Sequence, residues 1–312
     1  MSDTPPGAPE ETATRIFVGH RELLFSIVYN MLGSVADTED VLQETWLAWV
    51  PRSRSPTGGQ IENPRAYLVR IAVNRALARQ ATISRRREEY VGPWLPEPLV
   101  TPPDGAPIAA DAGDASEPAV RAESVSMALL VVLETLTPLE RAVFVLNEVF
   151  GYAHTEIAGI LDRSPSAIRQ LAHRAREHVH ARRPRYQADP RVRRQVTERF
   201  LAAVMGGDLN ALMEVLAPEV TLWADGGGKA RAAGLRPIHG RDKVARLIIG
   251  DSTRRPIRDL GVRIRSVNGD PSALLMSGDA LFAVIVLDLT PDGGQVRGVY
   301  AVTNPDKLSH VG

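Results

Sequence analysis

The 312-residue sequence contains no cysteine and only three lysines, and it has no apolar run long enough to cross a membrane. The absence of cysteine excludes disulfides and thiolate metal sites. The longest apolar runs, MALLVVLETL and ALFAVIVLDL, fall well short of the roughly 18 to 20 residues that a membrane span needs. The polar start MSDTPPGAPEETATR has neither the basic nor the apolar part of a signal peptide. We therefore expect a cytoplasmic protein without membrane association.

The scarcity of lysine leaves arginine as the main basic residue, since 37 basic residues minus three lysines gives 34 arginines. Arginine suits bidentate contacts to phosphates and base edges, although a GC-rich genome would also favour it. The net charge of zero is a cancellation between segments: residues 163–194 hold ten arginines against two acids, and residues 91–126 hold six acids against one arginine. This distribution, rather than the total charge, indicates where nucleic acid could bind.

The chain is long enough for two or three domains. Helical spacing of apolar residues predicts a bundle over 16–90, after a disordered start over 1–15. Residues 91–119 are rich in proline and acidic residues, which predicts a linker. A second helical domain is expected over 120–183. Two helices followed by strand-like runs such as VTLWAD, GVRIRSV, ALFAVIVLDL and VRGVYAVT, with one more helix near GRDKVARLII, predict an α+β domain over 190–312.

Residues 151–179 have the layout of a helix-turn-helix. A short helix is predicted over 155–161, the turn DRS follows, and Ser164 caps a second helix with Pro165 at its first position. An apolar stripe would hold this second helix on its domain, and the opposite face carries groups suited to base edges and phosphates in a major groove. Those groups are Arg169, Gln170, His173 and Arg174. The competing interpretation is a basic helix end that is only solvated.

Two stretches of the first bundle also have polar faces. DTEDVLQETWLAWV, residues 37–50, places Asp40, Gln43 and Glu44 on one helix face and aromatic residues on another, which suits a docking surface. NPRAYLVRIAVNRALARQATISRRR begins a helix at Pro64 and leaves basic and amide side chains outward, a pattern that suits single-stranded or melted DNA. The outward residues are Arg65, Arg70, Asn74, Arg75 and Arg79, with an arginine run from Arg85 to Arg87 at the end.

These two stretches and LTPLERAVFVLNEVFGYAHTEIAGILDRSPSAIRQLAHRARE, in this order, resemble an extracytoplasmic-function (ECF) sigma factor over residues 16 to about 182. The resemblance implies binding to promoter DNA and to the beta-prime clamp and beta flap of core RNA polymerase. It implies core polymerase contacts by Asp40, Gln43 and Glu44. It implies minus-10 contacts by Asn74, Arg75, Arg79, Arg85 and Arg86, and minus-35 contacts by Ser166, Arg169, Gln170, His173, Arg174 and Arg176.

The chain continues well beyond Arg183, where a minimal factor of this family would end. The added part resembles the SnoaL-like (NTF2-like) cone, a curved sheet wrapped by helices around a pocket. WLPEP at 94–98, DGGGK at 225–229 and NPDKL at 304–308 look like signatures of the sigma-factor subgroup with this extension. They imply interdomain or regulatory contacts by Trp94, Leu95, Pro96, Asp225, Gly226, Gly227, Gly228, Lys229, Asn304, Pro305 and Asp306. DGGGK lacks the GxxxxGK[ST] spacing of a nucleotide-binding loop.

The sequence thus predicts a multidomain protein of two all-α sigma domains, region 2 and region 4, followed by an α+β cone that modulates them in cis. We expect no enzyme activity, cofactor or metal, although the pocket of the cone could hold a small ligand. Two alternatives stay open. One is a stand-alone ligand-responsive regulator, which would need no docking stripe. The other is an isomerase or cyclase fused to a DNA-binding part, with an active site on Asp225, His239, Asp259 or Asp279.

Overall fold

The computed structural model describes residues 8–54, 61–101, 125–182, 189–230, 234–254, 259–309 and 311. These residues form two compact units. Unit 1 holds the described residues up to Arg86 and those from Leu133 to Ala181. Unit 2 holds residues 87–101, 125–132 and the described residues after Ala181. No helix in the described part of the chain is long and apolar enough to cross a bilayer.

The first half of unit 1 is a bundle of α1 (Ala8–Leu32), α2 (Val35–Arg54) and α3 (Pro64–Glu88). Its apolar faces meet in a core that includes Leu24, Trp49 and Leu68. Helix α1 begins inside the range 1–15 that we expected to be disordered, and that expectation is wrong from Ala8 onward. The reason is tertiary: Ala13 is buried, and its carbonyl accepts a 2.9 Å hydrogen bond from the Trp49 indole. Residues 1–7 lie outside the described residues.

The next helix, α4 (Met127–Leu133), packs in unit 2, and the second half of unit 1 follows it. This half contains α5 (Pro138–Phe144), which runs into a π-helical turn (Val145–Val149), then α6 (His154–Leu161) and α7 (Pro165–Arg182). The turn between α6 and α7 has Asp162 at a left-handed φ of 52°, and the Ser164 hydroxyl caps α7 through the Ala167 amide. The predicted helix-turn-helix is confirmed.

Unit 2 is built on one six-stranded sheet. Along the chain, helices precede the strands, separate β2 from β3 and follow the last strand. Its elements are α8 (Pro190–Gly206), α9 (Leu209–Val215), β1 (Leu216–Asp225), β2 (Ile238–His239), α10 (Arg241–Arg254), β3 (Gly261–Val267), β4 (Asp270–Ser277), β5 (Ala280–Leu289), β6 (Val296–Val302) and α11 (Pro305–Leu308). The strand order is β2-β1-β6-β5-β4-β3. Only β1 and β6 pair in parallel; the other neighbours are antiparallel.

Both faces of this sheet are covered. Alternate residues of a strand point to opposite faces, so Leu287 and Val299 face α8, α9 and α10, while Val286 and Tyr300 face the other way. That second face is closed by Leu95 and by helix α4. The helices therefore wrap one side of the sheet, and chain from outside the α+β domain closes the other.

The segment that we call the strap, residues 90–101, lies from residue 91 onward in the range predicted as a linker. It packs along the sheet: Val100 bridges Val267 in antiparallel fashion, and the Leu99 carbonyl accepts from the Asn268 amide at 2.9 Å. Leu95 is only 1% exposed. The described part of the predicted linker is thus fixed chain inside unit 2, whereas residues 102–119 lie outside the described residues.

Candidate functional site

The outward face of α7 carries most of the residues predicted to contact duplex DNA. Ile168, Ala172 and Ala175 bury the inner face against the rest of unit 1, as the apolar stripe predicts. The opposite face is exposed, and it presents together Ser166, Arg169, Gln170, His173 and Arg174. An exposed row of arginine, amide and imidazole donors on a capped helix has the form of a major-groove recognition surface.

Two of the predicted arginines of α7 are held by carboxylates of their own domain. Arg174 Nε lies 2.9 Å from Glu140 Oε1, and Glu140 also completes the capping box of α5 with Thr137. Burial acts to raise the pKa of Glu140, but its hydrogen bonds from Thr137 and Arg174 outweigh this and lower it. Arg176 is half-buried and pairs with Glu148 at 2.8 Å. Arg169 is therefore the more available cation on this face.

The acidic stripe of α2 and the arginines of α3, predicted to serve different partners, face each other in the structure. Arg79 reaches Asp40 at 2.5 Å, Glu44 at 3.2 Å and Asp37 at 3.3 Å. Arg75 pairs with Glu44 at 2.8 Å, and Arg86 pairs with Asp37 at 2.7 Å. We call these six side chains the α2–α3 ion-pair network. Gln43 stands outside it and is exposed, and Arg85 is exposed as well.

An open groove of about 450 Å³ runs along the outer side of α3. It is lined by Tyr67, Arg70, Ile71, Asn74, Arg75 and Ala78. The lining combines an aromatic ring and apolar surface with guanidinium and amide donors, which suits an unstacked base and its phosphate. The Asn74 amide is engaged on two sides, since it donates to the carbonyls of Arg70 at 2.8 Å and Ile160 at 3.0 Å. The groove thus lies at the seam between α3 and the end of α6.

The WLPEP, DGGGK and NPDKL stretches converge in unit 2 on one buried carboxylate. Asp225, at the end of β1, is fully buried and accepts from the Leu95 amide at 2.8 Å, from the Lys307 ammonium at 2.8 Å and from the Tyr90 hydroxyl. Lys307 also donates to the Leu95 carbonyl at 2.5 Å and lies 3.5 Å from the centre of the Trp94 ring. One carboxylate and one ammonium therefore hold the strap at the same residue, and we call this group the Asp225 clasp.

The electrostatics of the clasp are those of a desolvated ion pair. Burial lowers the pKa of Lys307 to about 8, against the opposing effect of the Asp225 charge and hydrogen bond. Burial and the hydrogen bond to Asp225 raise the pKa of Tyr90. Tyr90 and Lys307 were not among the predicted site residues. Lys307 lies inside the NPDKL stretch, but nothing in the local pattern distinguishes it from a solvated lysine.

The three glycines of DGGGK allow this close approach. Gly227 and Gly228 have φ values of 58° and 72°, and an added Cβ would lie 2.8 Å from Asn304 Cγ at the first and 3.1 Å from Val91 Cβ at the second. The buried Gly226 accepts the Lys229 amide through its carbonyl and closes the turn.

The NPDKL end completes the site. The Asn304 side chain donates to the Tyr90 hydroxyl at 2.7 Å, Pro305 begins α11, and Asp306 pairs with Lys229 at 2.5 Å on the surface. Trp94 packs edge-on against Tyr90, and Pro96 is buried beside Leu95. All the residues predicted for this site lie in unit 2.

The residues considered for an enzyme site do not form one cluster. His239 pairs in register with Thr221, and its ring nitrogen lies 3.0 Å from the Thr221 hydroxyl. Asp225 lies four residues further along β1, which is about 13 Å at the usual rise of a strand. Asp279 is exposed in the turn between β4 and β5, and Asp259 is exposed before β3. Asp225 itself is committed to three donors of the clasp.

Comparisons with known proteins agree with this architecture. The family Sigma-70 region 2 matches residues 16–86, and Sigma-70, region 4 matches residues 126–179. The ECF RNA polymerase sigma factor SigJ of Mycobacterium tuberculosis is 36% identical over 300 residues, which cover 94% of this chain and 92% of that protein. A probable ECF RNA polymerase sigma factor of the same organism, SigI, is 31% identical over 293 residues, covering 93% and 92%.

A solved structure is also similar. The crystal structure of the M. tuberculosis ECF sigma factor SigJ aligns with a TM-score of 0.70 and 33% identity, covering 93% of this chain and 96% of that one. The predicted family, its subgroup with the C-terminal extension, and the predicted fold class of two helical sigma domains followed by a SnoaL-like sheet domain are confirmed. With matches along nearly its whole length, this chain belongs to the ECF family of RNA polymerase sigma factors, which direct promoter-specific initiation of transcription.

Proposed function

We propose that the C-terminal domain of this sigma factor modulates transcription initiation in cis, by holding the chain that connects region 2 to region 4. The observation that carries the proposal is the Asp225 clasp, which binds the Leu95 amide and carbonyl at the same time. The strap follows region 2, which ends at residue 86, and precedes region 4, which begins at residue 126. A connector fixed in this way has fewer conformations than a solvated one.

Regulation of this kind requires that the C-terminal domain favour one arrangement of the DNA-binding domains over another. A bound strap leaves less free chain between region 2 and region 4, so it restricts how far apart they can lie. Release of the strap would lengthen the free connection and widen the range of promoter spacings that the protein can span. The three signature stretches then hold the strap together, since each of them supplies part of the clasp.

The surfaces of unit 1 are proposed to divide the sigma-factor task. The exposed face of α7, with Arg169 at its centre, would read the minus-35 element while region 4 meets the beta flap. The groove on α3 would take the melted minus-10 strand, with Asn74 and Arg75 at its wall. The α2 stripe would dock on the beta-prime clamp through Asp40, Gln43 and Glu44. Support for these assignments is the exposure and chemistry of each face.

The proposed regulation is tested by run-off transcription from a cognate promoter with purified core polymerase. Asp225→Asn removes the charge that holds Lys307 and keeps the shape of the side chain. Asp288→Asn is a matched control, because Asp288 pairs with Arg297 at 2.8 Å in the same sheet and also has a mostly buried side chain. We expect transcript yield or preferred promoter spacing to change with Asp225→Asn and not with Asp288→Asn. Equal output from both variants would refute regulation through the strap.

The docking surface is tested by copurification with core polymerase. Asp40→Ala combined with Gln43→Ala is expected to lose binding, whereas Glu39→Ala, which removes a neighbouring carboxylate paired with Arg21, is expected to retain it. Retention by the double variant would show that the α2 stripe is not the polymerase contact. A stand-alone transcriptional regulator would not copurify with core polymerase in any of these forms. This experiment therefore also discriminates between a sigma factor and a stand-alone regulator.

A further inference from the structure

The sheet domain binds the main chain of the strap at two residues. The Leu95 amide donates to Asp225 at 2.8 Å, and the Leu95 carbonyl accepts from the Lys307 ammonium at 2.5 Å. Further along, the Leu99 amide donates to the Asn268 side chain at 3.1 Å, and the Leu99 carbonyl accepts from the Asn268 amide at 2.9 Å. At each of these residues the sheet domain therefore satisfies both main-chain groups, as the neighbouring strand of a sheet would.

Prolines lie beside these contact points. Pro93, Pro96 and Pro98 carry no amide hydrogen, so they need no acceptor from the sheet domain. Their fixed φ also lowers the conformational entropy that the segment loses when it is bound. Proline-rich segments are common ligands of peptide-binding domains because little order has to be imposed on them. The strap therefore has the chemistry of a bound peptide ligand.

Three side chains of the strap add sequence specificity. Leu95 is 1% exposed and packs in an apolar cluster with Tyr300. The centre of the Trp94 ring lies 3.5 Å from the ammonium nitrogen of Lys307. Glu97 is 9% exposed, so its carboxylate is also withdrawn from solvent. These contacts favour a segment with an aromatic, an aliphatic and an acidic side chain at the same spacing.

The groups that bind the strap in this way all belong to the sheet domain. Asp225 ends β1, Asn268 follows β3, and Lys307 lies in α11. We call these three residues the strap seat. Leu95 reaches the seat from a position 130 residues before Asp225. The same contacts would hold the same segment of another molecule, and the strap prevails because it is covalently attached, at an effective concentration on the order of millimolar.

An exposed apolar side chain lies next to the bound strap. Leu235 is 70% exposed, and its Cα would lie 3.9 Å from a Cβ added at Gly92. Gly92 has no side chain with which to cover this leucine. An apolar side chain of a partner that reaches Leu235 would gain a contact that the strap does not make. Such an additional contact is what a competing segment needs to displace a tethered one.

We propose that the strap seat is a binding site for a proline-spaced peptide segment of another protein, which takes the place of the strap. The segment carries aromatic, aliphatic, proline and acidic residues in the order of WLPE, and an apolar residue before them that covers Leu235. Its binding releases the strap of this chain. The binding step stands without the proposed function, whereas an effect of the ligand on transcription rests on it.

The test uses a fluorescein-labelled peptide with the sequence of residues 92–101, GPWLPEPLVT, and the full-length protein. Fluorescence anisotropy measures its binding to the parent and to the double strap variant, Trp94→Ser with Leu95→Ser, which lacks the side chains that anchor the strap. A second peptide, GPWSPEPLVT, is the matched control for sequence recognition. Asp225→Asn tests the seat and Asp288→Asn is its matched control, each added to the double strap variant.

We expect the peptide to bind the double strap variant at least about tenfold more tightly than the parent, because the strap of the parent competes for the seat. Adding Asp225→Asn should weaken binding about tenfold or more, since a charged hydrogen-bond acceptor is lost, and Asp288→Asn should leave it unchanged. The serine peptide should bind about tenfold more weakly than the leucine peptide, because the side chain that is buried at this position is missing.

The parent protein provides a second readout, which does not depend on folding of the double strap variant. Unlabelled peptide at a concentration on the order of 5 mM, above the effective concentration of the strap, should speed hydrogen exchange of the Leu95 amide. Mass spectrometry reads this exchange on fragments that begin before residue 92 and therefore belong to the protein. The serine peptide at the same concentration should leave the exchange unchanged.

Three results would overturn the inference. Absence of binding to the double strap variant, together with unchanged exchange in the parent, would mean that the seat does not accept a segment from another molecule. Binding that survives Asp225→Asn, or equal binding of the two peptides, would place the peptide outside the seat. A complex between the parent and the double strap variant, detected by light scattering, would assign the seat to a second copy of this chain instead of a partner protein.

Run-off transcription separates this inference from the proposed function. If the peptide binds as expected and leaves the transcript unchanged, the binding site stands and regulation through the strap fails. If Asp225→Asn changes transcription and no peptide binds, regulation through the strap stands and this inference fails.

Discussion

Replacement of Asp225 by asparagine should release the strap while leaving the sheet folded. The substitution preserves shape but removes the charge that accepts from Tyr90, Leu95 and Lys307. Because Asp225 is fully buried, bulk solvent does not compensate for the lost charge. On its other side, the Leu95 backbone is held by the bond from the Lys307 ammonium to the Leu95 carbonyl, at 2.5 Å. Loss of the carboxylate therefore acts directly on local opening of this segment.

The magnitude follows from the two parts of the clasp. Lys307 loses its counter-charge, but its pKa is already lowered to about 8, so deprotonation at pH 7 limits the added electrostatic cost to about 1.4 kcal/mol. The bonds from the Tyr90 hydroxyl and the Leu95 amide change from a charged to a neutral acceptor, which costs about 1 kcal/mol each. The sum is roughly 3 kcal/mol, or on the order of a 100-fold rise in the opening equilibrium.

Hydrogen exchange of the full-length protein, read by mass spectrometry on peptides that cover the strap, measures this opening. The Leu95 amide is expected to exchange on the order of 100-fold faster in Asp225→Asn than in the parent. Asp288→Asn should leave strap exchange unchanged, because its partner Arg297 lies in the sheet. Exchange in Asp225→Asn that stays within a factor of about three of the parent would refute the reasoning, since that is far below the estimate built from hydrogen-bond and charge terms.

Three further results are expected. Gly227→Ala should lower the free energy of unfolding of unit 2 more than Gly278→Ala, as measured by a urea titration. Both glycines have a positive φ, 58° and 62°, but only a Cβ at Gly227 would lie within 2.8 Å of Asn304 Cγ. Equal losses of stability in the two variants would mean that backbone strain is the sole cause. The free energy of unfolding should rise as pH increases from about 8 toward 10.5, because Lys307 has a lowered pKa in the folded state and the unfolded chain binds more protons. Lys307 contributes at most about 1.4 kcal/mol per pH unit to this slope, and the slope should be smaller by that contribution in Lys307→Met. An unchanged slope in that variant would contradict the assignment. Arg169→Ala should reduce run-off transcription by the equivalent of about 1 to 3 kcal/mol for each lost base contact, and normal transcription would mean that α7 meets DNA with another face.

Helical organisation could be read from the sequence where its signals are local. The Ser164 cap with Pro165, and the apolar stripe of α7, predict the helix-turn-helix because both depend on residues within a few positions of each other. Most strands of the sheet were predicted for the same reason. Strand β4 was not among the quoted runs; its burial comes from the neighbouring strands on both sides.

The relations between elements could not be read in this way. The faces of α2 and α3 were each predicted correctly as polar, but periodicity gives no information on whether two polar faces meet. The structure brings Asp40 and Glu44 onto Arg79, so residues expected to serve separate partners neutralise each other. The clasp is a stronger case, because Asp225 and Leu95 are 130 residues apart. Only the quoted stretches pointed to it, and they gave the location without the bonds.

Helix α4 lies inside the residues matched by region 4, yet it belongs to the folded unit of the sheet domain. Met127 is fully buried and Ala128 is 5% exposed, in a cluster with Val284 and Leu308. The N-terminal boundary of the region 4 match, at residue 126, and the boundary between the two packed units, at residue 133, therefore fall at different positions. Cutting the chain near Arg183 would remove the C-terminal domain and would also remove the apolar partners of this helix. A chimaera that transplants the C-terminal domain would have to carry α4 with it to preserve the packing on this face.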